Sequence, residues 1–304
     1  MMKFIHLLLA AAFAVLPAAV AGQSAAPPAA CRLRIDAAAS SWIIRGYDPF
    51  GNSAPSGTFE LIFTNEGDRE CTFYPIFSVD QEPFGLRANN GRRVPYALAD
   101  MYGNYDATPV AGRTQRRATR RSVVVAPRSQ QVVQYGFTVA EDMISGDGLY
   151  DQRVQIEAEG TDGLPLSARQ LVLGIDVLPS ATLGLSGAYQ VSNGQALVDL
   201  GELREGFAEV PLQLRVQSTR RYKLILESQN NGRLELPGTD WFVPYQMSLG
   251  GQSVALSSGR GELSGQNGQG LTRESLPIRF RIGDVSDQRA GTYSDVISVS
   301  VEPL

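Results

Sequence analysis

The sequence predicts an all-β chain of two tandem sandwiches, on three observations. Short runs rich in β-branched and aromatic residues alternate with polar residues at a period of two. Clusters of Gly, Pro, Asn and Asp punctuate these runs at close spacing. No segment beyond Ala21 shows a helical period.

The elements follow in order. Phe59 to Thr64, Ser122 to Ala126, Gln131 to Val139 and Val154 to Ala158 read as strands of the first half. After a turn at Gly160 to Gly163, Ala168 to Val177 supplies another. In the second half, Leu212, Leu214 and Val216 alternate with mostly polar neighbours, as do Leu224 with Leu226 and Ile278 with Phe280 and Ile282. Ile297, Val299 and Val301 alternate with Ser298 and Ser300. Such patterns give a strand one buried and one wet face.

A leader stands ahead of these elements. Lys3 supplies positive charge, Phe4 to Leu16 is almost wholly apolar, and Ala19-Val20-Ala21 fits the small-x-small cleavage rule. This reads as a secretory signal peptide over 1–21. Its apolar run falls short of the ~20 residues that a spanning helix needs. The mature chain is expected outside the cytoplasm, and its length suits two domains, 22–178 and 179–304. Its two cysteines, Cys31 and Cys71, form an even pair that an oxidising compartment joins as a disulfide.

An internal repeat supports the division. Asn89-Asn90-Gly91-Arg92 precedes Pro95-Tyr96, and Asn230-Asn231-Gly232-Arg233 precedes Pro244-Tyr245. Further on, Gly148-Leu149-Tyr150-Asp151 opens a strand, and Gly291-Thr292-Tyr293-Ser294-Asp295 is expected to open another. The shared order points to duplication of a sandwich domain. The halves differ at their ends. The first continues through Ala168 to Val177, whereas the second reaches Leu304 one strand after Tyr293. About six strands fit from Leu197 onward, where an Ig-like sandwich has about seven. The C-terminal domain is therefore expected to lack one strand. Two alternatives stay open: a six-stranded sandwich, or closure by an upstream segment such as Ala181 to Val191.

Composition excludes several functions. The only histidine is His6, inside the leader. Without imidazole, Ser-His-Asp and Cys-His catalysis are out of reach, as are histidine zinc sites. The reading is no enzyme, no cofactor and no metal. A net charge of -4 argues against nucleic acid as a partner. Glu157 and Glu159 share a strand face, but paired acids there read as a wet sheet surface rather than a glycosidase pair.

Candidate contact residues sit in loops. Met101, Tyr102 and Tyr105 lie among Asp, Gly and Asn and form a candidate surface-binding loop. Arg113 to Arg121 holds five arginines in nine residues and reads as a solvated loop. Trp241-Phe242 reads as ordinary core.

The tail Gly291 to Leu304, GTYSDVISVSVEPL, resembles the C-terminal strand of spore coat U-type and archaic chaperone–usher pilus subunits. Gly46 to Phe50, GYDPF, is similar to an early motif of that family. Val198 to Gly206 and Tyr222 to Leu234 resemble its central strands. The resemblance implies a two-domain tip adhesin exported through the periplasm to the cell surface, mediating attachment and biofilm. It implies three partners: a periplasmic chaperone, an outer-membrane usher, and an adjacent pilin subunit that donates the missing strand. Ile297, Val299 and Val301 would then line the donor-strand groove, with Leu304 at the chaperone-anchored end. Gly22 to Ala30 has two prolines and no bulky apolar side chain, a poor strand to donate. That asymmetry favours the fibre tip. The rival readings are a structural shaft or spore-coat-like secreted subunit and, behind it, a secreted carbohydrate-active enzyme.

Overall fold

In the computed structural model, the described residues are 30–79, 84–88, 91–109, 121–265 and 270–304. Among them the chain is all-β, with a single 3-10 turn at Glu141–Met143. No described helix is long and apolar enough to cross a membrane. The leader and most of Gly22 to Ala30 lie outside the described residues, as do Asn89, Asn90 and Arg113 to Arg120.

In the first half the strands are β1 (Leu33–Ala37), β2 (Ser41–Tyr47), β3 (Ser56–Asn65), β4 (Cys71–Val79), β5 (Leu86–Arg87), β6 (Arg93–Val94), β7 (Tyr96–Asp100), β8 (Tyr105–Asp106), β9 (Val123–Val125), β10 (Gln130–Val139), β11 (Gly148–Gly160) and β12 (Pro165–Val177). One sheet runs β1-β3-β10-β7-β8 and the other β2-β12-β11-β4-β9, with β5 and β6 at the side of β11. Every pairing is antiparallel except β2 with β12. Alternation drives the packing. Phe59, Leu61 and Phe63 of β3 turn inward with Tyr135 of β10, and meet Phe73 and Phe77 of β4 from the other sheet. Phe63 and Phe73 pack with tilted rings at 4.8 Å between centroids, and Phe77 meets Tyr135 edge-on at 4.9 Å. Aromatic pairs at these separations add about 0.5–1.5 kcal/mol beyond the area they bury.

The second half contains β13 (Ala181–Gly187), β14 (Gln190–Ser192), β15 (Gln195–Leu197), β16 (Gly206–Phe207), β17 (Leu212–Ser218), β18 (Tyr222–Ser228), β19 (Arg233–Glu235), β20 (Phe242–Leu249), β21 (Gln252–Val254), β22 (Arg260–Ser264), β23 (Thr272–Ile282) and β24 (Ile297–Pro303). Its larger sheet runs β13-β17-β23-β20-β19, with β16 on β23 and β21 on β20. The smaller sheet is β22-β18-β24, and β14 and β15 form a separate hairpin. A second core lies between the two sheets, from Leu212 and Val216 to Tyr222, Leu226, Met247 and Ile282.

The two halves repeat one plan. The order β1-β3-β10-β7 matches β13-β17-β23-β20 strand for strand. The Pro-Tyr repeat falls on equivalent ladders, Tyr96 opposite Val139 and Tyr245 opposite Ile282. Asn231 and Gly232 take positive φ in the turn that their sequence demands. The Gly-x-Tyr repeat has a structural meaning as well. The Tyr150 hydroxyl donates to the Gly146 carbonyl at 2.9 Å, and the Tyr293 hydroxyl to the Arg289 carbonyl at 2.7 Å. Each reaches four residues back, the tyrosine corner that precedes the sixth strand of an Ig-like sandwich. The second corner differs in one respect: the ladder begins at Ile297 rather than at the tyrosine.

Where the halves meet, short loops interlock. The Leu271 amide donates to the Ser145 carbonyl at 2.7 Å, and the Thr219 hydroxyl to the Leu178 carbonyl at 3.4 Å. Gly270 has φ +109°, and a Cβ there would stand 2.6 Å from the Ser145 carbonyl, so only glycine permits this approach. Arg220 pairs with Asp147 and extends its other nitrogen to the Leu304 carbonyl at 3.3 Å.

Cys31 and Cys71 are bonded, with Cα atoms 5.2 Å apart. The bond joins the approach to β1 in one sheet with the start of β4 in the other, and closes a loop of 40 residues. Replacing both by serine is expected to lower the unfolding free energy by about 4 kcal/mol in the chain-entropy account. Either single replacement should cost nearly as much as the double. Urea denaturation of oxidised, reduced and variant protein checks this.

Candidate functional site: the open edge of the terminal strand

β24 corresponds to β11, because both follow a tyrosine corner and both pair with the strand equivalent to β4. Their surroundings differ on one side. β11 lies between β4 and β12. β24 pairs with β18 from Ser228↔Ile297 to Tyr222↔Pro303, and no other described strand pairs with it. In an antiparallel strand, alternate residues direct N–H and C=O to opposite edges. Among the described residues no strand takes the place beside β24 that β12 takes beside β11, so the outer edge of β24 presents unpaired backbone groups.

The side chains show the same vacancy. Val154 and Ile156 of β11 are 0% exposed. Ile297, Val299 and Val301 face the second core from β24, yet all three remain half-exposed. Leu183 and Leu185 of β13 pack against the same core and are half-exposed too. β13 approaches β24 across the sandwich but pairs with β17. The segment Ala181 to Val191 therefore does not close the slot: its first seven residues complete the opposite sheet, and Gln190 and Val191 belong to the β14–β15 hairpin. What remains is a set of half-exposed apolar side chains along the line between the two strands, Leu183 and Leu185 from β13 and Ile297, Val299 and Val301 from β24.

The start of β24 is pinned by one carboxylate. Asp295 Oδ2 accepts from the Tyr245 hydroxyl and the Ser228 hydroxyl, each at 2.6 Å. Its Oδ1 accepts from the Asn230 amide at 3.0 Å and the Val296 amide at 2.8 Å. Burial, reinforced by Asp295, holds the Tyr245 phenol well above its ordinary pKa. Inside the same core the Tyr222 hydroxyl donates to Glu274 at 2.7 Å; burial and that carboxylate raise its pKa too. At the far end the Leu304 amide donates to the Arg221 carbonyl at 2.7 Å. The strand is thus fixed at both ends while one edge stays bare.

The candidate surface-binding loop lies in the first half, in the turn between β7 and β8. Tyr102 is 84% exposed, with Met101 and Tyr105 also exposed. Beneath them Asp100 is buried, accepting from the Tyr102 amide at 3.0 Å and from Arg121 Nε at 2.6 Å. The Arg121 guanidinium sits 4.8 Å from the centre of the Tyr102 ring. A partly buried ion pair therefore holds an exposed aromatic tip. Of the arginine run, Arg121 alone lies among the described residues.

Other expectations resolve differently. Trp241 and Phe242, read as core, are 40% and 38% exposed. They cap the β19–β20 hairpin, and the core position between the strands is taken by Leu234 and Val243. Glu157 is half-exposed on β11 as a wet sheet face requires, but Glu159, expected beside it on that surface, is buried, because the ladder shifts register between Ala158 and Glu159. Asp295, Arg220 and the corner role of Tyr150 and Tyr293 escaped the sequence reading. The Gly-x-Tyr spacing was the available signal for the corners.

No family model and no curated protein matches the chain. Solved structures similar to it include the CsuC–CsuE chaperone–tip adhesion subunit pre-assembly complex from archaic chaperone–usher Csu pili of Acinetobacter baumannii. There the identity is 15%, covering 88% of this chain and 100% of that one, with a TM-score of 0.44. The CupB6 tip adhesin from Pseudomonas aeruginosa is 10% identical over 90% of this chain and 94% of that one, with a TM-score of 0.39. CfaE, the adhesive subunit of CFA/I fimbria of enterotoxigenic Escherichia coli, is 9% identical over 87% and 92%, with a TM-score of 0.30. Likeness at this level carries no functional assignment, which must come from the chain's own geometry.

Removing the Asp295 carboxylate leaves two buried donors without their acceptor. Asp295→Ala is expected to destabilise the chain by about 2–3 kcal/mol, the scale of charge-assisted bonds. Tyr245→Phe should cost about 1 kcal/mol. In the double variant the effects should fall short of their sum, which a double-mutant cycle by chemical denaturation measures.

Proposed function

We propose that the chain is a non-enzymatic tip subunit of a chaperone–usher surface fibre. In this reading residues 22–178 form the adhesive domain and 179–304 a pilin-like domain completed by a strand from another protein. The observation that carries the reading is internal to the chain. Of two sandwiches on one plan, the first pairs β12 with β11, and the second leaves the matching edge of β24 unpaired.

A donated strand satisfies both deficits at once. Its backbone pairs with the bare edge, each bond contributing about 1 kcal/mol net. Its alternate apolar side chains pack over Ile297, Val299 and Val301, contributing about 25 cal/mol for each Å² of apolar surface covered. A periplasmic chaperone would supply the strand first, and an outer-membrane usher would exchange it for that of the adjacent pilin subunit. The composition of Gly22 to Ala30 supports a position at the tip, where nothing need be donated. The exposed Met101, Tyr102 and Tyr105 support adhesion by the first domain. Attachment and biofilm formation follow from that placement.

The test uses the mature chain and a synthetic peptide with apolar residues at every second position. Alone, the chain should aggregate; with peptide it should be monomeric with one peptide bound. Hydrogen exchange at the β24 amides should slow on binding. Val299→Asp, which places a charge on the inward face of β24, should abolish capture. A chain that stays monomeric without peptide, protects the β24 amides unaided and ignores the peptide would remove the basis of the proposal.

A further inference from the structure

From the outer face of the larger second-half sheet we infer a binding site for an acidic polysaccharide. Arginine forks would hold its carboxylates and phenyl rings would lie against its sugar faces. The inference is independent of the open edge, which belongs to the opposite sheet.

Strand alternation creates the face. Leu214 and Val216 of β17 and Ile278 and Ile282 of β23 turn inward, so Arg215, Arg273, Arg279 and Arg281 are left exposed on the other side. Arg233 of β19 joins them through its pairing with Pro244, an outward residue of β20. None of these five arginines has a carboxylate partner among the described residues. Glu235 is the one carboxylate that the strands of this sheet turn outward, since Glu274 points inward to the Tyr222 hydroxyl, and the exposed Glu209 follows β16 on the same side. Residues 179–304 carry thirteen acidic and eleven basic side chains, so this positive face is a segregation of charge within a slightly acidic half.

Aromatic rings are interleaved with the arginines. Phe207 stands directly opposite Arg281 in the β16–β23 ladder and is 67% exposed, an apolar side chain that no core claims. The Arg233 guanidinium lies 4.4 Å from the centre of the exposed Phe242 ring. A hollow of about 730 Å³ opens on the same sheet, lined by Phe207, Glu209, Pro211, Gln213, Pro277 and Arg279. Arg279 and Arg281, two residues apart on one strand, are spaced by about 7 Å.

These features choose among anions. A guanidinium presents a planar fork that matches a carboxylate in two bonds. An exposed phenyl ring covers the apolar face of a sugar. Nucleic acid is disfavoured because a densely charged chain meets a protein with a net charge of -4. A chain with one carboxylate per sugar suffers less from that field and still engages the local fork. Arg279, Arg281 and Phe207 gather at the Ile282 end of β23, remote from the Thr272 end that meets the first half through Leu271, while Arg273 stands near that other end. The exposed tyrosines of the first half and this face would thus contact different matter.

Binding is measured on the full chain, kept monomeric by the strand peptide where that is needed. The probes are polygalacturonate oligomers, uncharged dextran of similar length and single-stranded oligothymidylate. Polygalacturonate should bind and dextran should not. The double variant R279A/R281A should weaken binding at least about tenfold, the equivalent of one charge-assisted contact. F207A should weaken it severalfold without changing the salt dependence. R260A, which removes the same charge from the smaller sheet, should leave affinity unchanged. The inference is overturned if polygalacturonate fails to bind, or if dextran binds as well. It is overturned equally if R279A/R281A behaves like R260A, or if oligothymidylate binds more tightly and assigns the face to nucleic acid.

Discussion

A strand in a sandwich has two edges of backbone groups to satisfy and one apolar face to bury, and β24 does half of each. That single deficit organises the second half of the chain. The larger sheet is complete without β24. The smaller sheet has three strands where the matching sheet of the first half has a longer row. Collapse could fill the gap only by withdrawing β13 from β17, exchanging one ladder for another with no net gain of hydrogen bonds. Meanwhile the Asp295 network and the Leu304 amide hold β24 in extended form at both ends. The edge is bare because its surroundings are already committed.

The first half shows what completion looks like. With β12 in place, inward residues from Leu171 to Val177 are sealed and the aromatic cluster of Phe59, Phe63, Phe73, Phe77 and Tyr135 is shut from water. β2 adds a parallel partner on the far side of β12, so even the completing strand has neighbours on both edges. The Cys31–Cys71 bond then fastens one sheet to the other. Two sandwiches on one strand plan thus sit on either side of a threshold set by one strand.

Much of this was legible from residue order. Alternation located β3, β10, β11, β12, β17, β18, β23 and β24, because a period of two leaves its mark wherever one face is wet. The paired Asn-Gly and Gly-x-Tyr motifs revealed the repeat, since turns and corners demand particular residues. β13 was harder to place: Gly184 and Gly187 dilute its pattern, and pairing partners cannot be read from a single strand. Trp241 and Phe242 misled because hydrophobicity alone does not tell a hairpin tip from a core. Arg215, Arg279 and Arg281 are scattered along the chain and become one surface only when strand faces are known. Asp295 sits beside an apolar run like any solvated acid, and its four donors come from three segments that meet only in the fold.

The joint between the halves has its own thermodynamics. Arg220 grips Asp147 of the first half with one nitrogen and the Leu304 carbonyl at the tail of β24 with another. Two ligands of one guanidinium cannot be independent: whatever alters its hold on the tail alters its hold on Asp147 by the same free energy, and the converse is equally required. Because the pair is partly open to solvent, that linkage is bounded near the ~1 kcal/mol of surface ion pairs. It amounts to a severalfold bias rather than an on–off switch, carried by one side chain between two otherwise separate cores.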